Sequence, residues 1–251
     1  MFDVSFIPAF KDNYIWLLTR GRRAVVVDPG DAVPVEARLA ADGLSLEAIL
    51  VTHHHADHQG GVGALAARWH PAVYAPAKES ITGCTHSLAG GERITILDSP
   101  VDVLAVPGHT LGHLAYVAPG MLFCGDTLFG AGCGRLFEGT PAQMVASLAS
   151  LAGLPDETAV YCAHEYTSMN LGFACAVEPE NPAIAARAAR VAEKRAAGRP
   201  SVPSTLAEEK ATNPFLRCSE PAVVAAAMAR GAVDSTPTAV FAAIRAWRNV
   251  F

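Results

Sequence analysis

The sequence predicts an α/β fold followed by a smaller all-α part, and three observations predict it. Short β-branched and aromatic runs alternate with helical patterns up to about position 163. From Thr167 the strand-like runs cease and helical patterns take over, so a boundary is expected near Gly172, dividing the chain into 1–172 and 173–251. Four apolar runs of the first part end in histidine and aspartate, which sheets covered by helices gather at their strand ends. With 251 residues, 51% of them apolar, the chain is long enough to bury a sizeable core.

Val4 to Ile7, Tyr14 to Thr19 and Ala24 to Asp28 read as a strand meander separated by turn residues such as Asp12-Asn13 and Gly21. Val33 to Ala41 has helical spacing, and Ala48-Ile49-Leu50-Val51 reads as a buried strand. Directly after it stands Thr52-His53-His54-His55-Ala56-Asp57-His58, and Gly61 to Trp69 is expected to be a helix. Gly61-Val62-Gly63-Ala64-Leu65-Ala66 superficially fits a dinucleotide fingerprint. That fingerprint needs its first glycine in the turn after a strand, whereas nine residues intervene here, so a nicotinamide site is set aside. Further strands are expected at Val73 to Ala75, Arg93 to Leu97, Asp102 to Val106, His113 to Ala118 and Met121 to Cys124. Thr140-Pro141 marks a helix start running to Leu151. Helices follow at Ser168 to Val177, Pro182 to Ala197, Leu206 to Lys210, Pro221 to Arg230 and Pro237 to Asn249. Val240, Phe241, Ile244 and Trp247 form the buried stripe of the last one.

A formal charge of −5 gives no electrostatic reason to expect a nucleic acid or a membrane surface as partner. The N-terminal stretch lacks the pattern of a secretory signal, and no apolar run approaches spanning length. The six cysteines are scattered without close pairing and read as buried thiols of a reducing compartment, so a soluble, cytoplasmic protein is expected.

His53, His55, Asp57 and His58 place four metal-ligand side chains within six residues, a density that a solvated polar turn does not explain. Imidazole and carboxylate suit zinc, iron or manganese, and the absence of cysteine argues against a structural zinc knot. Three more strand ends bring Pro107-Gly108-His109, Gly125-Asp126-Thr127 and Ala163-His164-Glu165. The sum, His53, His55, Asp57, His58, His109, Asp126 and His164, exceeds what one ion needs. Two ions about 3.5 to 4 Å apart, sharing a carboxylate and a water, would use all seven.

With these residues in view, the sequence resembles the metallo-β-lactamase superfamily and, within it, the glyoxalase II (hydroxyacylglutathione hydrolase) family. The resemblance runs through Asp12-Asn13-Tyr14, the His53 to His58 cluster, Pro107-Gly108-His109-Thr110-Leu111-Gly112-His113 and Gly125-Asp126-Thr127-Leu128-Phe129. It continues through Gly132-Cys133-Gly134-Arg135, Ala163-His164-Glu165-Tyr166-Thr167 and Val202-Pro203-Ser204-Thr205-Leu206-Ala207-Glu208-Glu209. It implies an αββα sandwich followed by the all-α C-terminal domain. It also implies His53, His55 and His109 on one metal, Asp57, His58 and His164 on the other, and Asp126 bridging. His54 and His113 fall outside the ligand pattern, and either could support the site from behind. Ala56 stands where the family usually carries a larger residue, a position between ligands.

The resemblance implies hydrolysis of S-(2-hydroxyacyl)glutathione, typically S-lactoylglutathione, to glutathione and D-lactate, the second step of methylglyoxal detoxification. It implies Asp57 and Asp126 as the catalytic residues, with a metal-bridging water as the nucleophile. A thiol leaves readily as thiolate, its pKa being about 8.5, whereas an amine would need a proton. For glutathione, the resemblance implies Arg135, Phe137 and Tyr166, together with Arg245 and Arg248 of the last helix. By themselves Arg245 and Arg248 would read as a solvated helix face, and Arg187, Arg190, Lys194 and Arg195 keep that reading. The expected cofactors are two divalent ions, zinc first, and a monomer is expected. A lactone or phosphodiester hydrolase of the same superfamily, and a metal or thiol-conjugate binder without turnover, are the competing readings.

Overall fold

A computed structural model describes residues 2–251, which fold as two compact units. Residues up to Ala105 together with Leu111–Gly125 form the first unit; Val106–Thr110 and Asp126–Phe251 form the second.

In the first unit, β1 (Asp3–Ala9), β2 (Asn13–Arg20) and β3 (Arg23–Val27) form the expected antiparallel meander. The chain then turns parallel: helix α1 (Ala32–Asp42) carries it from β3 to β4 (Ser45–Leu50). Short α2 (Ala56–Gln59) and α3 (Val62–Trp69) carry it on to β5 (Ala72–Pro76), and β6 (His86–Leu88) closes the sheet in the order β1 to β6. Parallel neighbours need such crossovers because the chain must return to the same edge. Ile15, Leu17, Ala24, Val26, Ile49 and Val51 cluster with Val35 and Leu39 of α1 and Val62 and Leu65 of α3. Their alternate neighbours Trp16, Leu18, Val25, Val27 and Leu50 are buried as well, which explains why these strands read as continuous apolar runs. The α1 start is held by Asp31, whose carboxylate accepts from Val33 N at 2.9 Å.

A second, antiparallel sheet of this unit runs through β7 (Arg93–Ile96), β8 (Ser99–Ala105), β9 (Leu114–Ala118) and β10 (Met121–Gly125). Tyr116 of β9 is fully buried and its hydroxyl donates to the Val51 carbonyl at 2.8 Å. That bond ties the second sheet to the first at the residue where the histidine-rich loop begins.

The second unit opens with a two-stranded hairpin, β11 (Leu128–Phe129) and β12 (Gly132–Cys133). Helix α4 (Pro141–Ala152) starts as expected, with Thr140 and Gln143 in a reciprocal capping box and Pro141 in the first turn. Next come β13 (Ala159–Cys162), α5 (Thr167–Val177), α6 (Pro182–Ala196), β14 (Ser204–Thr205), α7 (Leu206–Thr212), α8 (Pro221–Met228) and α9 (Pro237–Arg248). The helices fall where their spacing places them. Strand pairing, however, does not cease at Thr167: β14 pairs antiparallel with β13, Val160 opposite Ser204. Two residues carry no period, so that strand was illegible. Gly172, the expected boundary, lies inside α5. Phe173, Phe215, Phe241 and Trp247 pack the helical part, with the Phe173 and Trp247 rings edge to face at 5.1 Å.

Candidate metal centre

The loop from Val51 to His55 leaves the C-terminal end of the parallel strand β4, the position where such sheets present functional side chains. His53 and His58 are buried, while His55 and Asp57 are partly exposed. The first unit brings all four donors together. Nε2 of His53 faces Nδ1 of His55 at 3.0 Å, the His53 and His58 rings are 4.1 Å apart, and Nε2 of His58 lies 3.5 Å from Asp57 Oδ2.

Their protons are fixed from behind. Asp28, buried at the end of β3, accepts from Thr52 N at 2.8 Å and from the Thr52 hydroxyl at 2.7 Å. The threonine proton being spent there, its oxygen accepts from Nδ1 of His53 at 3.0 Å. Nδ1 of His58 donates to Oδ2 of Asp28, the oxygen that also takes the Thr52 hydroxyl, again at 3.0 Å. Both imidazoles thus carry their proton on Nδ1 and turn the Nε2 lone pair toward the donor cluster, the arrangement that orients metal ligands. Asn13 does the same for Asp57, donating to Oδ2 at 3.0 Å.

The two remaining histidines of the cluster region stand behind it. His113 stacks on the His53 ring at 4.6 Å, and His54 reaches Glu79 at 3.1 Å. Gly125 is required at the end of β10: its φ is +48°, and a Cβ there would lie 2.4 Å from the Thr52 hydroxyl oxygen.

The second unit gathers the other three donors. Nε2 of His109 lies 3.4 Å from Asp126 Oδ2, and Nε2 of His164 lies 3.3 Å from Asp126 Oδ1, so one buried carboxylate faces an imidazole on each side. Here the anchor is main chain: Nδ1 of His109 donates to the Arg135 carbonyl at 2.7 Å. Phe137 N donates back to the His109 carbonyl at 3.2 Å. His164 is covered by Tyr166, the rings stacked at 4.7 Å and 3°, with Phe129 edge-on to both.

The donor set fits a divalent metal. Separations of 3.3 to 3.5 Å between Nε2 and carboxylate oxygen are long for charge-assisted hydrogen bonds. They match two atoms sharing a tetrahedral cation, since bonds of about 2.0 to 2.1 Å imply edges of about 3.3 to 3.4 Å.

The glutathione candidates also lie in the second unit. Arg135 is exposed with its guanidinium 5.9 Å from the Phe137 ring, and Phe137 is itself exposed. Arg245 is no solvated residue: it is 8% exposed, donates to the Cys133 carbonyl at 2.9 Å and lies over the Phe215 ring. Arg248 donates to Asn170 Oδ1 at 3.3 Å. Burial lowers the Arg248 pKa below its usual value, and the charges of Arg245 and Arg135 lower it further. The Arg248 guanidinium is thus repelled by those of Arg245 and Arg135, and among the described residues none of the three is paired with a carboxylate.

Comparison with known proteins places these sites in a family. Residues 10–164 match the metallo-beta-lactamase superfamily, and residues 165–251 match the hydroxyacylglutathione hydrolase C-terminus. A hydroxyacylglutathione hydrolase of Dechloromonas aromatica (strain RCB) is 68% identical over 265 residues, covering 100% of both chains. The chain belongs to the hydroxyacylglutathione hydrolase family. Among solved structures, ETHE1 from Myxococcus xanthus superposes with a TM-score of 0.67 at 26% identity, covering 100% of this chain and 99% of its own. TTHA1623 in a di-iron-bound form has a TM-score of 0.53 at 32% identity, over 61% of this chain and 87% of that one. The αββα sandwich followed by a helical C-terminal domain is thus the fold.

Within this hydroxyacylglutathione hydrolase architecture, sequence reasoning missed Asp28 and left Arg187 among the solvated cations. Asp28 had one available signal, an acidic residue ending an apolar strand. Its φ of +53°, which aspartate tolerates better than most residues, exposed nothing in the sequence. Arg187 is 1% exposed and belongs to a buried network, while Arg190 and Arg195 are exposed as expected. One signal was available: Arg187 stands three residues after Ile184 and four before Val191, on the apolar stripe of α6, whereas Arg190 falls off it. All six cysteines are free thiols. No described helix is long and apolar enough to cross a membrane.

Proposed function

We propose that the chain hydrolyses the thioester of S-(2-hydroxyacyl)glutathione, typically S-lactoylglutathione, to glutathione and a 2-hydroxy acid, D-lactate in that case. His53, His55 and His109 are proposed to hold one divalent ion, Asp57, His58 and His164 a second, and Asp126 to bridge them. Zinc is the first expectation, with iron and manganese accommodated by the same donors. Such ions, when bound, supply an activated water at neutral pH and an electrophilic pull on a carbonyl oxygen. The division of labour proposed for residues 1–172 and 173–251 follows: the first part carries all seven donors, the second Arg245 and Arg248.

The chain's own groups do the rest. Asp28, Thr52 and the Arg135 carbonyl keep the imidazole protons on Nδ1, so Nε2 stays a donor to metal. Asp57 and Asp126 accept hydrogen bonds from the attacking water and orient it toward the thioester carbon. The glutathione thiol departs as thiolate, its pKa of about 8.5 making a general acid unnecessary. Arg135, Arg245 and Arg248 hold the glutathione carboxylates, and Phe137 and Tyr166 line the peptide.

The observation that carries the substrate is the trio of carboxylate-free arginines in a chain of net charge −5. Guanidiniums gathered without a carboxylate are unfavourable until an anion arrives, and glutathione brings two carboxylates. No observation favours the lactone, phosphodiester or binding-only readings. The test is thiol release from S-lactoylglutathione by metal-loaded protein with and without a chelator. Full activity after complete metal removal, or no release from a fully metallated chain, would overturn the proposal.

A further inference from the structure

The hairpin β11–β12 begins two residues after Asp126 and ends two residues before Arg135, whose carbonyl fixes His109. Its turn is strained and buried: Ala131 has φ +53° and is 0% exposed. Hardly any of the turn's polar groups is left to solvent, and helix side chains hold them instead. The Ala131 N–H donates to Glu209 Oε2 at 2.8 Å. Asn213 Nδ2 donates to the Gly132 carbonyl at 2.9 Å and the Phe129 carbonyl at 3.3 Å, and Asn170 Nδ2 to the Gly130 carbonyl at 3.0 Å.

Glu209 is itself fully buried and accepts four donors. Oε1 takes Arg187 Nη2 and the Ser204 hydroxyl, each at 2.6 Å, and Oε2 takes Asn213 Nδ2 at 3.2 Å besides Ala131 N. Burial alone would lower the Arg187 pKa, but Glu209 and Glu208 raise it above its usual value, so the guanidinium stays charged. A carboxylate desolvated this completely is retained at a cost in hydration, and its second oxygen is aimed at a main-chain amide of a loop rather than at another helix.

We propose that Glu209 and Asn213 are positioning residues for the metal centre: they brace the β11–β12 hairpin and thereby set Asp126, Phe129 and the Arg135 carbonyl against His109 and His164. The helical part then serves the metal as well as the substrate. This inference rests on the metal-centre reading above. No element of it requires either residue to touch metal or substrate.

The experiment strips the full-length protein of metal and measures zinc affinity by competition with a chromophoric chelator, alongside thermal midpoint and Michaelis constants of the zinc-loaded protein. Asn213→Ala removes two hairpin bonds and leaves the Glu209–Arg187 pair in place. It is expected to weaken zinc about ten-fold, the low end of the range for groups bonded directly to a ligand because Asn213 acts through the hairpin, and to lower kcat with little change in KM. Glu209→Gln is expected to act in the same direction. Arg187→Met removes the charge partner without touching the hairpin and is expected to lower the midpoint by several degrees while zinc affinity stays within about two-fold. Zinc affinity and kcat unchanged in Asn213→Ala, or weakened equally in Arg187→Met, would overturn the bracing role alone. Wild-type protein that binds no zinc would overturn the metal-centre reading, and this inference with it.

Discussion

The two donor groups are built by opposite means. His53, His55, Asp57 and His58 come from one loop between β4 and α2, and side chains fix them: Asp28, Thr52 and Asn13. His109, Asp126 and His164 come from three separate loops, and the contact that fixes His109 is a backbone carbonyl, that of Arg135. A site anchored by side chains can be taken apart by single substitutions. One anchored by main chain yields only when the loop itself moves, which is where the proposed hairpin braces would act.

Four measurements sharpen or break that contrast. Asp126→Ala removes the carboxylate that faces both His109 and His164, so metal content and turnover are expected to fall together to background by elemental analysis and thioester assay. Retention of both ions would remove the bridging assignment. Asp28→Asn leaves the loop sequence intact but removes the charge and puts an amide donor in place of one of the two oxygens that take Thr52 N, the Thr52 hydroxyl and His58 Nδ1. Metal affinity is expected to drop about 10- to 100-fold. If it drops no further than in a surface control, side-chain anchoring of the first group is wrong. Arg248→Ala is expected to raise KM about ten-fold with kcat within about two-fold, a loss of about 1.4 kcal/mol, within the worth of one charge-assisted hydrogen bond. Unchanged kinetics would take α9 out of substrate binding. The smallest effect concerns Cys133, whose thiol burial pushes up to about 11 even beside Arg245. As the thiolate is the nucleophile, alkylation by iodoacetamide at pH 8 is expected to leave Cys133 unmodified by mass spectrometry, with activity intact.

The sequence by itself determined what is local. Helix spans followed from 3.6-residue spacing and from caps such as Thr140-Pro141 and Thr236-Pro237, because those signals act over one or two turns. Most strands followed from β-branched runs, and the His53 to His58 string announced metal chemistry because residues so close in the chain cannot fold far apart. Tertiary structure alone decided the partners: that Asp28 serves both Thr52 and His58, that Arg187 pairs with Glu209, and that Arg245 rests on the Cys133 carbonyl. A two-residue strand such as Ser204–Thr205, or a left-handed alanine at 131, is equally invisible. Charge and spacing say which faces a residue can occupy. Only the packing of segments distant in sequence sets the desolvation and hydrogen bonding that turn an ordinary arginine or aspartate into part of a site.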